Sequence, residues 1–271
     1  MSVGVFDSGV GGLSVLRAIR DELPNEDLIY VGDSGFAPYG DRPREFVNER
    51  AAAMTEFLVE QGARAVVVAC NTATGIAVES LRAQFAIPIV AIEPAVKPAA
   101  SRTRSRVVGV LATSGTLASA NMTKLLTSHG AETRFLVQAS PGLADQVEKG
   151  ELDSATTREL VERYVRPLID QGADTLVLGC THYPFLRRVI EEVAGPDVDV
   201  IDPATAVARE LRRRLENAHL SRDGKKPGTE HFWTTGDVGT VGPIMEQLWD
   251  KPVQLMRCSD PAVMTDKRGG S

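Results

Sequence analysis

Two cysteines stand where chemistry is possible. Cys180 follows the apolar run TLVLG (175–179) and precedes Thr181, His182, Tyr183 and Pro184. Cys70 follows AVVVA (65–69) and precedes Asn71 and Thr72. A thiolate is a base, a nucleophile and a metal ligand. An imidazole two residues away can hold a thiolate or carry its proton. Each residue also has a plainer explanation. A lone cysteine is most often a small buried apolar residue, and a lone histidine at a strand end is most often a hydrogen-bonded bystander. Three readings of Cys180 and His182 therefore compete: packed core, half of a metal site, or an acid–base pair that needs a partner.

The partner comes from a repeat. QGARAVVVAC (61–70) and QGADTLVLGC (171–180) share their start, an apolar run and a terminal cysteine at an offset of 110 residues. VGVFDSGVGGLS (3–14) matches VGVLATSGTLAS (108–119) at an offset of 105, and IVAIEPA (89–95) matches VDVIDPA (198–204) at 109. Three matches in one order describe a duplicated chain, with halves near 1–100 and 101–207 and a C-terminal segment. Duplicated lobes facing one another would set Cys70 and Cys180 on opposite sides of one cleft. One thiol could then remove a proton from a carbon while the other returns one to the opposite face.

Supporting groups stand nearby in sequence. FDSGVGGLSVLRAI (6–19) is a glycine-rich turn running toward a helix, where backbone N–H groups can approach an anion. It matches neither a dinucleotide fingerprint nor a P-loop. Asp7, between a buried strand and that turn, is either a helix cap or a functional acid. Asp7 beside Cys70 and His182 beside Cys180 would let each thiol exchange its proton. No lysine motif for pyridoxal phosphate appears, so no cofactor is expected.

The elements that position these residues follow from periodicity. VGVF, LIYVG, AVVVA and PIVAI are short apolar runs bounded by Gly, Pro or polar residues, as in strands buried on both faces of a parallel sheet. REFVNERAAAMTEFLVEQG and SATTRELVERYVRPLIDQG are helical patterns closed by Gly62 and Gly172. The fold class is α/β, with two similar, mainly parallel open sheets related by duplication. Ligands of such sheets bind beyond the strand carboxyl ends, where Asp7, Ser8, Asp33, Cys70 and Cys180 all fall. The domains are expected at 1–97 plus 208–271 and at 98–207.

Composition bounds the rest. The 271 residues are 43% hydrophobic and 24% charged, with net charge −6. No apolar stretch is long enough to span a membrane, and the start lacks the pattern of a signal peptide, which places the protein in the cytosol. The acidic balance argues against nucleic-acid binding; RTRSR (102–106) reads as a solvated loop. Cys70, Cys180 and Cys258 are three thiols without zinc-module spacing. Cys258 reads as a buried or half-buried apolar residue, and the tail MTDKRGGS as frayed.

FDSGVGGLSV, PYG (38–40), ACNTA (69–73) and LGCTHYP (178–184) resemble glutamate racemase, of the aspartate/glutamate racemase superfamily. EHFWTTGD (230–237) looks like that family's C-terminal strand. The resemblance implies a cofactor-independent, metal-free racemase, commonly a homodimer, that interconverts L- and D-glutamate for peptidoglycan. It implies that Cys70 acts on D-glutamate and Cys180 on L-glutamate, with Asp7 and His182 assisting. It implies substrate contacts at Asp7, Ser8, Tyr39, Gly40, Asn71, Thr72, Ser114, Thr116, Thr181 and His182. One departure is Phe36, where the family usually carries a basic residue. Three alternatives stay open: an aspartate or other amino-acid racemase of the same superfamily, a zinc enzyme using Cys70, Cys180 and His182, and a two-lobed binding or regulatory protein.

Overall fold

A computed structural model describes residues 2–222 and 226–258. The tail MTDKRGGS lies outside them. Among the described residues ten strands form two sheets, parallel throughout. The first sheet contains β1 (Ser2–Asp7), β2 (Asp27–Gly32), β3 (Ala63–Val68) and β4 (Ile89–Ala91). The second contains β5 (Val107–Ala112), β6 (Arg134–Ala139), β7 (Thr175–Gly179) and β8 (Asp199–Ile201). The chain then returns to the first sheet with β9 (Glu230–Thr234) and β10 (Leu255–Arg257).

Strand order displays the duplication. The second sheet runs β6-β5-β7-β8, and the first runs β10-β9-β2-β1-β3-β4. Without the two returning strands, each sheet places its second strand, first, third and fourth in that order. The three sequence matches fall on β1 with β5, β3 with β7 and β4 with β8. The unmatched pair has a physical reason to differ. β2 lies between β1 and β9 and is buried along most of its length, whereas β6 is an edge strand with Arg134 and Val137 exposed.

The repeated Gln-Gly-Ala is one helix-to-strand turn used twice. Helix Arg44–Glu60 ends at Gln61, and helix Ala155–Asp170 ends at Gln171. Gly62 and Gly172 then take φ of +86° and +90°, a left-handed conformation that costs glycine little. The Gly62 N–H donates to the Val59 carbonyl at 2.9 Å, and that of Gly172 to Ile169 at 2.8 Å. The next residue enters the strand region that carries a cysteine at its end.

Burial on both faces accounts for the continuous apolar strands. In β1, Phe6 joins one core cluster with Val66, Val68, Met54 and Leu58, while Val3 and Val5 join another. That second cluster continues through Leu13, Leu16 and Leu211 to Leu176 and Leu178 of the other sheet. Helix Ala204–Asn217 packs on helix Leu13–Glu22 within it. Each fully buried Leu or Val contributes about 1.5–3 kcal/mol, so this shared core holds the two sheets' carboxyl ends toward one another. Among the described residues, no helix is long and apolar enough to cross a membrane.

Candidate active site

β3 and β7 end in the two thiols. After β3, Ala69 leads to Cys70, which takes extended backbone angles and caps helix Asn71–Gln84. Its sulfur accepts the Ala73 N–H at 3.5 Å and donates to Ser8 Oγ at 3.8 Å. After β7, Cys180 leads directly into the tight turn through His182 to the 3-10 segment Tyr183–Leu186. Both cysteines are buried and line one small cavity of about 10 Å³. Thiols from two lobes, at corresponding strand ends, therefore face one cavity.

The surroundings of the two sulfurs differ. Burial is the largest influence on Cys70, and with the nearby Asp7 carboxylate and Cys180 it pushes this thiol up to about 12. The Ala73 amide and Ser8 hydroxyl oppose that rise without cancelling it. On the other side, His182 Nδ1 lies 3.6 Å from Cys180 Sγ, and Nε2 lies 2.6 Å from Glu148 Oε1. Burial alone would favour a neutral ring, but Cys180 and Glu148 outweigh it and hold His182 well above the usual histidine range. Cys70 is thus kept as a proton donor, while Cys180 has an imidazolium beside it.

This asymmetry predicts an alkylation pattern. At pH 8, a thiol near 12 is ionised in roughly one molecule in ten thousand. Iodoacetamide is expected to label Cys180 well ahead of Cys70, with Cys70 labelling still climbing above pH 10. Peptide mass spectrometry reads both sites in one sample. Equal rates at pH 8 would contradict the assignment.

Asp7 both caps and connects. Its Oδ2 accepts the N–H groups of Gly9 at 3.3 Å and Gly12 at 3.0 Å, at the entrance to helix Leu13–Glu22. Its Oδ1 accepts the Thr181 hydroxyl at 3.2 Å across the cleft. Burial raises its carboxyl above the usual range, against the lowering influence of His182. The direct partner of Cys70 is therefore Ser8, while Asp7 acts on it through its charge. The glycine turn binds anions, but they are the protein's own: the Val10 N–H donates to Glu148 Oε1 at 2.8 Å.

That turn must be glycine for lack of space. A Cβ on Gly9 would sit 1.8 Å from Glu148 Oε1, and one on Gly11 would sit 2.3 Å from His182 Nδ1. Gly11→Ala is expected to displace the His182 ring and lower turnover on the order of 10²-fold, because small misplacements of catalytic groups are that costly. Steady-state rates on a variant that retains its circular dichroism spectrum test this. Wild-type turnover would show that the ring can move freely.

The remaining expected residues divide by position. Ser8, Tyr39, Gly40, Asn71, Thr72, Thr116, Thr181 and His182 line the cavity. Asn71 lines the cavity and is buried, and neither its amide nitrogen nor its oxygen has a protein hydrogen-bond partner. Thr72 Oγ1 meets Thr113 Oγ1 at 3.0 Å and Thr116 Oγ1 at 3.3 Å across the cleft. The Gly115 N–H donates to the Gly40 carbonyl at 2.9 Å. Asp7 is buried behind the lining, bonded to Thr181. Ser114 is exposed and does not line the cavity; its neighbour Thr113 does. Phe36 and Cys258 also lie outside the lining, with Cys258 in the same apolar cluster as Cys70.

Sequence reasoning missed Glu148. It sits at the end of the short helix Leu143–Glu148, in a segment without a match in the repeat. Its signal is spatial, since only the fold brings it to His182. Thr113 was missed too, although ATSGT held it. In RTRSR, Arg102 ends helix Val96–Arg102 and 103–106 form a surface loop: Arg106 pairs with Glu132, and the Arg104 and Ser105 amides bond Asp174.

Fold and site together define a two-lobed α/β enzyme with its cleft at the strand carboxyl ends. The chain belongs to the Asp/Glu/Hydantoin racemase family, whose pattern matches residues 4–211. It is 52% identical to the glutamate racemase of Methylococcus capsulatus over 247 residues, 91% of each chain. Among solved structures it resembles a glutamate racemase isoform from Bacillus anthracis, with TM-score 0.87 and 35% identity over 96% of this chain and 98% of that one. It also resembles Escherichia coli glutamate racemase, solved with L-glutamate and the activator UDP-MurNAc-ala. There the TM-score is 0.84 and the identity 31%, covering 94% of this chain and 97% of that one.

Proposed function

We propose that the protein interconverts L- and D-glutamate by a two-base transfer between Cys70 and Cys180. The observation that carries this reading is the convergence of two thiols, from corresponding strand ends of duplicated lobes, on one cavity. Cys180 removes the α-proton of L-glutamate, with His182 and Glu148 taking up the charge that develops. Cys70, held as a thiol, delivers its proton to the opposite face and yields D-glutamate. The conversion leaves Cys180 protonated and Cys70 as thiolate, the state that acts on D-glutamate; before the next L-to-D turnover Cys180 loses its proton by way of His182 and Cys70 regains one, both by exchange with water. Asn71, the Thr72–Thr113–Thr116 hydroxyls and the amides of the Tyr39–Gly40 turn hold the substrate's polar groups while the acid–base pairs act.

The racemase relatives act on glutamate by name, which supports that substrate over aspartate. We place the enzyme in the cytosol, where a reducing poise keeps both thiols available, and assign its D-glutamate to peptidoglycan. We propose lobes at 1–97 plus 208–271 and 98–207; the boundaries fall inside helices Val96–Arg102 and Ala204–Asn217. The homodimer implied by the family would scatter light as twice the 29.1 kDa chain.

The test is direct. Incubation of the purified protein with L-glutamate and with L-aspartate, without added cofactor, is followed by optical rotation. Loss of signal with glutamate is expected. Turnover of aspartate alone would sink the substrate assignment.

A further inference from the structure

We propose that Arg50 is a positioning residue for the substrate site, holding the Pro38–Gly40 wall through Asp33, with Phe36 as the platform that orients it. This inference rests on the glutamate racemase reading above. Asp33 follows β2 and is fully buried. Its carboxylate receives four donors. The Tyr39 hydroxyl and Arg50 Nε, at 2.9 Å, both donate to Oδ2. Arg50 Nη2, at 2.8 Å, and the Thr235 hydroxyl, at 2.7 Å, both donate to Oδ1.

Arg50 reaches Asp33 from the middle of helix Arg44–Glu60 with its side chain 5% exposed. A buried carboxylate is costly unless paired and fully hydrogen-bonded, and a guanidinium meets both oxygens at once. Arg50 Cζ lies over the Phe36 ring, 3.8 Å from its centroid. Phe46, from the same helix as Arg50, braces Phe36 at 6.0 Å, and Arg42 covers Phe46 at 5.5 Å. The aromatic at position 36 thus has a task in this chain. It takes the face of a cation supplied by the helix, where a basic residue would repel it.

The brace ends at the cavity without entering it. Neither Arg50 nor Phe36 lines the cavity, whereas Pro38, Tyr39 and Gly40 do. Tyr39 is fixed by its hydroxyl on Asp33, so its backbone and that of Gly40 are presented at a set position. Gly40 in turn receives the Gly115 N–H of the opposite lobe. A loosened brace would shift this wall and leave the acid–base groups in place.

Arg50→Lys keeps the charge and loses the fork and flat face, which an ammonium cannot reproduce. Initial rates with L- and D-glutamate are expected to show KM raised about tenfold for both, with kcat held within about threefold. Phe36→Leu is expected to raise KM about threefold. The double variant should match Arg50→Lys alone, because the ring acts through the guanidinium. A wild-type KM in folded Arg50→Lys would overturn the proposal. So would an additive double variant, or losses of kcat and KM that merely follow loss of folded protein by thermal melting. If Arg50→Lys does not fold, Phe36→Leu decides: an unchanged KM there overturns it. Absence of glutamate turnover in the wild-type control would instead overturn the proposed function, and this inference with it.

Discussion

Cys70→Ala and Cys180→Ala are each expected to lower racemisation by roughly 10⁴-fold or more, since in the proposed two-base mechanism each removes the group that serves one face of the α-carbon. The two variants should differ in a way that reports the mechanism. In deuterated water, Cys70→Ala keeps the Cys180–His182 couple and can still exchange the α-proton of L-glutamate without inverting it. Cys180→Ala keeps only the Cys70 side and can exchange only D-glutamate. Wild-type enzyme should place deuterium mainly in the product enantiomer at early times. Proton NMR of the α-position reads all three cases. Substantial racemisation by either alanine variant would remove that cysteine from the mechanism. Stability separates the pair as well. Cys70 caps helix Asn71–Gln84 through the Ala73 amide, and loss of a cap costs about 0.5–2 kcal/mol. Cys70→Ala should therefore melt below Cys180→Ala, and Cys70→Ser, which restores an accepting atom, should recover stability without recovering turnover.

What could be read from the chain depended on whether a residue's role was local. The strands were legible because β1, β3, β5 and β7 are buried on both faces and carry uninterrupted apolar runs. The helix ends at Gly62 and Gly172 were legible because a left-handed turn restricts residue choice. Cys70 and Cys180 became legible as a pair through the duplication, since matching strand ends must fall at matching places. β6 escaped the repeat because an edge strand tolerates exposure that β2 does not. Glu148 escaped altogether: an acid at a helix end has many ordinary uses, and only tertiary packing brings it to 2.6 Å from His182. Phe36 looked like a loss of charge at the site's rim; its meaning depends on Arg50, fourteen positions further on, reaching back from a helix. Asp7 looked like either a cap or an acid. The structure places one oxygen at the turn amides and the other at Thr181, so the two roles share one carboxylate.

Glu148→Gln is expected to lower kcat/KM about 10³-fold, comparable to other losses of a carboxylate that orients and charges a catalytic imidazole. The substitution is nearly isosteric, and its amide oxygen can still accept the Val10 N–H, so the glycine turn stays docked. What disappears is the negative charge 2.6 Å from His182 Nε2. That charge, with Cys180, outweighs the desolvation that would otherwise neutralise the ring. Its removal must lower the His182 pKa, and the sign of the pH effect follows. A raised native pKa contributes stability and imidazolium below the unfolded value, both lost as pH rises through the native value. In Glu148→Gln the loss begins at lower pH, so the alkaline limb of the rate profile should move toward neutrality and the defect should shrink on acidification. The defect must also be equal in both directions. Enantiomers in water have the same free energy, so any variant must keep one ratio of kcat/KM for L- and D-glutamate. A Glu148 role confined to Cys180 will consequently appear as a change in which proton transfer limits the rate, seen as a larger α-deuterium isotope effect from the L side than from the D side. Equal isotope effects with an unshifted pH profile would mean that Glu148 acts only by holding the Val10 amide.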